Sequence, residues 1–311
     1  MEYRRVGESG LRVSAIAIGG WLTLGKSVAD ETSHNILRAA IDEGINFIDV
    51  ADIYARGESE RVVGEILGDY KRSDLVISSK VYWPMSDNPN DRGLSRKHIL
   101  ESVEKSLDRL QTDYLDIYFC HRWDDETPLL ETMRAMDDLV HQGVVHYWGT
   151  SMWTAKQICQ AHELADRYNL HAPLVEQPRY NLIHREIEED VKPMCRKLGM
   201  GLTVWSPLAQ GILTGKYNDG MPPQSRGATS DWLSEDLTEE NLTRTRTLCA
   251  RAEELDLRPE QLALAWLLSQ DGLSSVITGA TRIEHVHKNV AAASVELSQE
   301  IIGELDHLFS L

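Results

Sequence analysis

The chain has 311 residues, of which 42% are hydrophobic, and it carries a formal net charge of −17. The apolar fraction is enough to fill a sizeable core and argues against disorder, whereas the negative charge argues against binding nucleic acid or an anionic membrane. No apolar stretch is long enough to span a membrane, and no apolar segment follows the first residues. We therefore expect a cytoplasmic protein without a secretory signal or a membrane partner.

The cysteines and histidines form no recognisable metal motif. Four cysteines are spread along the chain without a CxxC pair, so we expect reduced thiols. His285 and His287 lie two residues apart on a predicted helix and do not face each other. His141 and His146 flank a predicted helix-to-strand turn, which favours surface positions. We therefore predict no metal site.

From residue 12 onward, short apolar runs alternate with amphipathic helical stretches. This alternation of strand and helix predicts a parallel sheet covered by helices, and eight strands are the number found in a (β/α)8 TIM barrel. We predict a single barrel domain over residues 1–311. The eight strands are predicted at 15–18, 46–49, 75–80, 115–120, 144–149, 174–177, 201–205 and 275–277.

Three further segments are predicted around this barrel. Residues 3–13 read as an N-terminal β-hairpin that covers the barrel floor. Residues 208–236 are rich in Gly, Pro and Ser and predict a long, functional loop after strand 7. Thr154 followed by Gln157 predicts a capping box at the start of the fifth helix, and residues 299–308 predict a final helix.

Asp49, Tyr54, Lys80 and His121 lie at or just past the ends of three successive predicted strands. The intervals from Asp49 to Lys80 and from Lys80 to His121 are 31 and 41 residues, about one strand-plus-helix unit each. Successive parallel strands carry such side chains to one shared face of a barrel. The spacing therefore predicts a common site for the four residues.

A phenol, an ammonium, a carboxylate and an imidazole together suit carbonyl reduction. Lys80 can lower the high pKa of the Tyr54 phenol, and Asp49 can keep Lys80 charged. His121 can orient a carbonyl oxygen toward Tyr54, which supplies the proton. The alternative is structural: a strand-end cap, its salt-bridge partner and a packing aromatic ring. Spacing alone leaves that alternative open.

Several aromatic residues follow strands 1, 3 and 4 and so lie near the same mouth. They could pack in the core, but we prefer an apolar wall for a substrate. With the phenol and the imidazole, the predicted substrate pocket comprises Trp21, Tyr54, Tyr82, Trp83, His121 and Trp123.

An ordered series of short motifs runs along almost the whole chain. It comprises GINFIDVADIY (44–54), ISSK (77–80), WGTS (148–151), EQ (176–177), WSPL (205–208) and GATR (279–282), together with GLSRKHI (93–99) and PPQSR (222–226). From about residue 3 to 308, the chain resembles the aldo-keto reductases. The resemblance is closest to the branch that contains the potassium-channel β subunits and their bacterial relatives, of which the last two motifs are typical.

This resemblance implies a nicotinamide dinucleotide lying across the C-terminal mouth of the barrel. The four residues at the strand ends take the family's catalytic positions, Trp205 stacks on the nicotinamide, and Thr281 with Arg282 favours NADP(H), with NAD(H) as the alternative. No GxGxxG follows a strand, which argues against a Rossmann dehydrogenase. The implied cofactor-binding residues are Gly20, Trp21, Asp49, Ser151, Gln177, Trp205, Ser206, Leu208, Gln210, Gly211, Lys216, Arg226, Gly279, Thr281, Arg282, His285 and Asn289.

Three positions depart from the nearest branch. The channel β subunits usually carry Asn at the position of His121 and reduce carbonyls slowly, so the imidazole here favours real turnover. Met152 stands where an Arg is often found, which removes one phosphate contact. Lys288 stands where an acidic residue is common near the adenine.

We therefore predict NADPH-dependent reduction of aldehydes and ketones to alcohols, with a small carbonyl compound as substrate and with homo-oligomerisation left open. The alternative is a regulatory subunit that senses the nucleotide and acts through a protein partner. Channel-inactivating relatives carry a long N-terminal extension, whereas here the hairpin begins within a few residues. An isomerase or aldolase on the same fold would leave Trp205 and the catalytic set without a role.

Overall fold

Eight parallel strands close into a barrel in the computed structural model of this protein. The structure describes residues 1–25, 27–223, 225–229 and 233–310, apart from the side chains of Arg226 and Thr229. The barrel strands are β3 (Ile16–Gly19), β4 (Phe47–Asp49), β5 (Val76–Val81), β6 (Leu115–Cys120), β7 (Val145–Thr150), β8 (Val175–Glu176), β9 (Gly201–Val204) and β10 (Leu273–Thr278).

The strands follow one another around the barrel in chain order, and β10 closes the ring by pairing with both β9 and β3. Every residue of β5 and β6 is buried, as expected for parallel strands that have side chains inside the barrel and helices outside. The predicted (β/α)8 TIM barrel is therefore confirmed, and each predicted strand overlaps an observed one.

An antiparallel hairpin precedes the barrel, with β1 (Tyr3–Arg5) paired to β2 (Arg12–Ser14). Val6 and Val13 join the buried cluster inside the barrel, which includes Phe119. The hairpin therefore closes one end of the barrel, as predicted.

Helices surround the barrel and bury their apolar faces against it. Within the described residues they are α1 (Asp30–Asp42), α2 (Glu58–Leu67), α3 (Arg96–Leu110), α4 (Leu129–His141), α5 (Ala155–Tyr168), α6 (Val191–Lys197), α7 (Arg226–Thr229), α8 (Glu239–Glu254), α9 (Pro259–Leu268), α10 (Ile283–Ala291) and α11 (Gln299–Leu308).

The predicted capping box at the start of α5 is present. The Gln157 amide donates to Thr154 Oγ1 at 3.3 Å, and the Thr154 amide donates to Gln157 Oε1 at 2.9 Å. The predicted final helix coincides with α11.

The long connection after β9 is largely irregular, as predicted. It contains a 3-10 segment at Ala209–Thr214 and the four-residue helix α7. None of the helices in the described part of the chain is long and apolar enough to cross a membrane.

Candidate active site

A buried ion pair lies at the carboxyl ends of β4 and β5. Lys80 Nζ donates to Asp49 Oδ2 at 2.6 Å and to the Val50 carbonyl at 2.8 Å. The Lys80 side chain is fully buried and that of Asp49 is 4% exposed. A pair held away from water in this way has a fixed geometry, because neither charge can leave its partner without an uncompensated desolvation cost.

Tyr54 and His121 lie beside this pair. The Tyr54 ring centroid is 4.9 Å from Lys80 Nζ and 5.8 Å from the His121 ring, which meets it edge to face. Tyr54 begins a turn in which Ala55 and Arg56 adopt left-handed φ angles of 49° and 54°. Such angles are strained for residues with a Cβ and are concentrated at functional sites. The structure thus brings the four predicted catalytic side chains together.

Burial controls the protonation states of this group. Desolvation, followed by the charge of Asp49, raises the pKa of Tyr54 well above its usual range. We expected Lys80 to lower this pKa, but desolvation dominates. The phenol therefore keeps its proton at neutral pH, and releasing that proton requires a group that stabilises the phenolate, such as the Lys80 ammonium 4.9 Å from its ring.

The His121 imidazole is neutral in the same environment. Burial, followed by the charges of Lys80 and Arg122, lowers the pKa of His121 well below its usual value. Its buried Nδ1 meets no hydrogen-bond partner among the described residues. A neutral imidazole has one N–H to donate. It can therefore form a hydrogen bond to a carbonyl oxygen while remaining uncharged.

Ser151 and Gln177 connect the ends of β7 and β8 to the ion pair. Ser151 Oγ donates to the Gln177 carbonyl at 2.9 Å, and Gln177 Nε2 donates to Asp49 Oδ1 at 3.0 Å. These two residues, predicted to hold a carboxamide, therefore lie beside the predicted catalytic residues.

Trp205 lies at the end of β9 and is half-buried. Its ring meets that of Trp21 edge to face at 5.8 Å, and the Arg179 guanidinium lies 5.8 Å from its centroid. Gly20, which precedes Trp21, packs so closely that an added Cβ would lie 2.1 Å from Ser59 Oγ. Trp205 therefore offers an aromatic ring of the kind on which a planar ring stacks, with Trp21 at its side.

The backbone after Trp205 forms a strained turn that fits a phosphate group. Ser206, Ala209, Gln210 and Gly211 have φ angles of 56°, 46°, 56° and 99°, and Leu208 lies within the same turn. Successive left-handed residues form concave, anion-binding backbone nests. The buried Ser206 Oγ meets no partner in the described part of the chain, so it can donate a hydrogen bond to a ligand.

Cationic groups gather around this turn and the start of α10. A Cβ added at Gly211 would lie 2.5 Å from Lys216 Nζ. Burial, and then the charges of Arg282, Lys288 and Lys216, lowers the pKa of His285. The connection after β9 and the first turn of α10 therefore lie close together and share positive charge.

The first turn of α10 is not capped by the side chain of its N-cap residue. Arg282 occupies the N-cap position, and its side chain makes no capping hydrogen bond. Arg282 Nε donates to His285 Nε2 at 2.9 Å, and Thr281 and Gly279 precede the helix. Exposed amides at a helix N-terminus bind phosphate, so this turn also fits a phosphate group. Asn289 lies on the same helix and is buried.

The predicted aromatic wall divides into two parts. Tyr82 and Trp83 meet edge to face at 5.1 Å, and Trp83 lies 6.2 Å from the His121 ring. Trp123 packs instead on the buried Trp153 at 4.7 Å. Trp83 is therefore the member of the wall that contacts the predicted catalytic residue His121. Trp123 instead has the core-packing contact that the sequence left open as an alternative. The Arg226 side chain, predicted to bind the cofactor, lies outside the described residues.

Two polar residues of this site, Ser78 and Arg122, were not predicted from the sequence. Ser78 Oγ donates to Asp49 Oδ1 at 2.7 Å, and Arg122 Nη1 donates to the His121 carbonyl at 2.5 Å and to Ser151 Oγ at 3.4 Å. Ser78 lies two residues before Lys80 on one strand, so strand alternation places both side chains on the same face. That alternation was the signal available in the sequence.

A barrel of eight parallel strands with its polar constellation at their carboxyl ends has the architecture of (β/α)8-barrel enzymes. The model of the Aldo/keto reductase family matches residues 15–309, and the chain therefore belongs to this family. It is 44% identical over 302 residues to a protein of Arabidopsis thaliana named "Probable voltage-gated potassium channel subunit beta", covering 95% of this chain and 92% of that protein. A protein of the same name from Oryza sativa subsp. japonica is 42% identical over 315 residues, covering 98% and 96%.

Proposed function

We propose that this protein reduces aldehydes and ketones to alcohols with NADPH, and that Tyr54 is the general acid. The observation that supports this proposal most strongly is the buried Asp49–Lys80 pair beside a protonated phenol and a neutral imidazole. Membership in the Aldo/keto reductase family supports carbonyl reduction in general.

In this proposal, the chain orients the carbonyl compound and controls one proton. His121 donates a hydrogen bond to the carbonyl oxygen and directs it toward the Tyr54 hydroxyl. As negative charge develops on that oxygen, Tyr54 transfers its proton, and the adjacent Lys80 ammonium stabilises the resulting phenolate. Asp49 keeps Lys80 protonated and in place. The Trp83 ring excludes water from one side of the bound carbonyl compound.

A bound nicotinamide dinucleotide supplies the hydride for this reaction. Ser151 and Gln177 would hold its carboxamide, and Trp205 would support its nicotinamide ring. The left-handed turn at 206–211 would hold the pyrophosphate. The cationic group at the start of α10 favours NADPH, because its additional phosphate places negative charge there.

The named relatives support a second candidate function. Both carry the name of a potassium-channel β subunit, which is consistent with a regulatory protein that binds the nucleotide and acts through a partner. The His121 imidazole favours the reductase, because together with Asp49, Tyr54 and Lys80 it completes a group of side chains that can catalyse carbonyl reduction. We place this activity in the cytoplasm, in keeping with the four free thiols.

The two functions are separated by measuring NADPH binding and NADPH oxidation with the same preparation. We expect tight binding together with steady oxidation when 4-nitrobenzaldehyde or methylglyoxal is added, and slower oxidation with NADH. Tight NADPH binding without oxidation across a broad aldehyde panel would reject the reductase and leave the regulatory function.

A further inference from the structure

Two histidines and an aspartate come together at the end of the barrel opposite the catalytic group. Asp137 and His141 lie one turn apart near the end of α4, which leads into the start of β7. His171 lies in the connection that leads from α5 into β8. These connections enter the amino-terminal ends of the strands, whereas Tyr54 lies at the carboxyl ends. The proposed reaction therefore assigns no role to this trio.

The three side chains converge closely. His171 Nδ1 lies 2.7 Å from Asp137 Oδ1, and His141 Nδ1 lies 3.3 Å from Asp137 Oδ2. One potential ligand atom from each residue lies within 4.8 Å of the other two. A tetrahedral ion with bonds of about 2.0 Å needs ligands about 3.3 Å apart, so modest side-chain rotation brings this set to coordinating distances.

Asp137 is a nearly buried carboxylate that contacts both imidazoles. It is only 7% exposed, and the ion pairs that the structure gives it are both with these imidazoles. A nearly buried carboxylate without a permanent cation gains from a bound one.

The backbone that carries His171 is also held in place. Trp148, a buried residue of β7, donates its indole N–H to the His171 carbonyl at 2.9 Å, and the His171 amide donates to Asp137 Oδ1 at 2.8 Å. The His141 ring is held at 2.9 Å from the Asp137 carbonyl. Both rings are half-exposed, with 63% and 50% of their side chains accessible, which leaves room for water on an ion.

We propose that Asp137, His141 and His171 bind one divalent transition-metal ion of the zinc class. Each imidazole contributes one nitrogen, Asp137 contributes a carboxylate oxygen, and water completes the coordination. Mixed nitrogen and oxygen ligands suit Zn²⁺ and its probe Co²⁺ better than Mg²⁺ or Ca²⁺, which prefer oxygen alone. This differs from the sequence analysis, which predicted no metal site and placed His141 simply at the surface. The ion would join the end of α4 to the α5–β8 connection.

The test is a metal titration of the full-length protein after treatment with EDTA. We expect one equivalent of Zn²⁺ to bind by calorimetry, one equivalent of Co²⁺ to give visible absorption bands, and Zn²⁺ to raise the melting temperature. The variants His141→Ala and His171→Ala should each weaken binding about tenfold or more and abolish the melting shift. The control is His146→Ala, because His146 is comparably exposed, at 47%, and lies beside Asp116 rather than this trio.

Circular dichroism of each variant checks that folding is retained. The two single-histidine variants leave Asp137 in place, because it anchors the α5–β8 connection. Absence of Zn²⁺ binding to the wild type would overturn the proposal. Binding that neither variant weakens would also overturn it, because the ion would then be held elsewhere, for example by cysteine. These readouts do not depend on reductase activity, so they are independent of the proposed function.

Discussion

Asp49 accepts hydrogen bonds from three side chains, those of Lys80, Ser78 and Gln177. Lys80 and Ser78 lie on β5 and Gln177 directly follows β8, so one carboxylate connects widely separated parts of the sequence. Burial lowers the pKa of Lys80, and the Asp49 charge opposes that effect. Asp49 is therefore the residue that keeps the ammonium next to Tyr54.

The substitution His121→Asn tests the orienting role of the imidazole. It should lower kcat for aldehyde reduction by about tenfold to a hundredfold, because the hydrogen bond to the developing oxyanion loses its geometry. The dissociation constant for NADPH, measured by fluorescence titration, should change little. Unchanged kcat would contradict the role of His121, and the exposed substitution His146→Asn provides the control.

At the level of elements, the strands, the hairpin and the cap of α5 could be predicted because each depends on local pattern. The shared position of the catalytic side chains followed from strand spacing, and their roles stay predictions. The turn after Tyr54 could not be predicted, because left-handed angles at Ala55 and Arg56 are imposed by tertiary packing against local preference. Likewise, the hydrogen bond from Arg122 to Ser151 could not be predicted, because it depends on two strand ends lying side by side in the barrel.

The capping box of α5 gives a stability prediction. Thr154→Ala removes the side-chain acceptor of the Gln157 amide and should lower the free energy of unfolding by about 1 kcal/mol. Urea denaturation followed by circular dichroism measures this change. Lys156→Ala, an exposed change in the same turn, should have a much smaller effect, and equal losses would show that the cap contributes nothing specific.

Glu176, at the end of β8, gives a pH prediction. Burial raises its pKa from 4.5 to about 7, so the folded state binds a proton more tightly than the unfolded state. The stabilisation is complete below about pH 4.5 and is lost as the pH rises through about 7; at about 1.4 kcal/mol per pKa unit, its size is on the order of 3 kcal/mol.

Glu176→Gln removes this titration. The unfolding free energy of the wild type, relative to that of the variant, should therefore fall between about pH 5 and pH 8 by this amount. Urea titrations of both proteins across that interval measure the difference. A constant difference would show that Glu176 titrates normally in the folded protein.

At the scale of the whole molecule, a chain with a net charge of −17 gathers the cations Lys216, Arg282 and Lys288 around His285. A cationic cluster on an acidic protein attracts an anionic ligand locally and leaves the rest of the surface repulsive to polyanions. This distribution favours a compact phosphate-bearing cofactor over nucleic acid.

Arg282→Ala tests that distribution. It should weaken NADPH binding about tenfold or more, because a charge-assisted contact is lost, while NADH binding should change little. Titrations of both nucleotides measure the ratio, and Arg196→Ala, a 79% exposed arginine at the end of α6, is the matched control. Equal weakening of the two nucleotides would contradict an additional phosphate at this position.

The central claim is that Tyr54 gives its proton to the carbonyl oxygen during reduction by NADPH. The most direct measurement compares NADPH oxidation and alcohol formation from 4-nitrobenzaldehyde by the wild type and by Tyr54→Phe, with NADPH affinity measured on both proteins. We predict that the wild type forms one alcohol per NADPH consumed and that the variant loses a hundredfold or more of the turnover, roughly the contribution of a general acid, while it binds NADPH as tightly as before. Wild-type turnover retained in Tyr54→Phe would contradict the account.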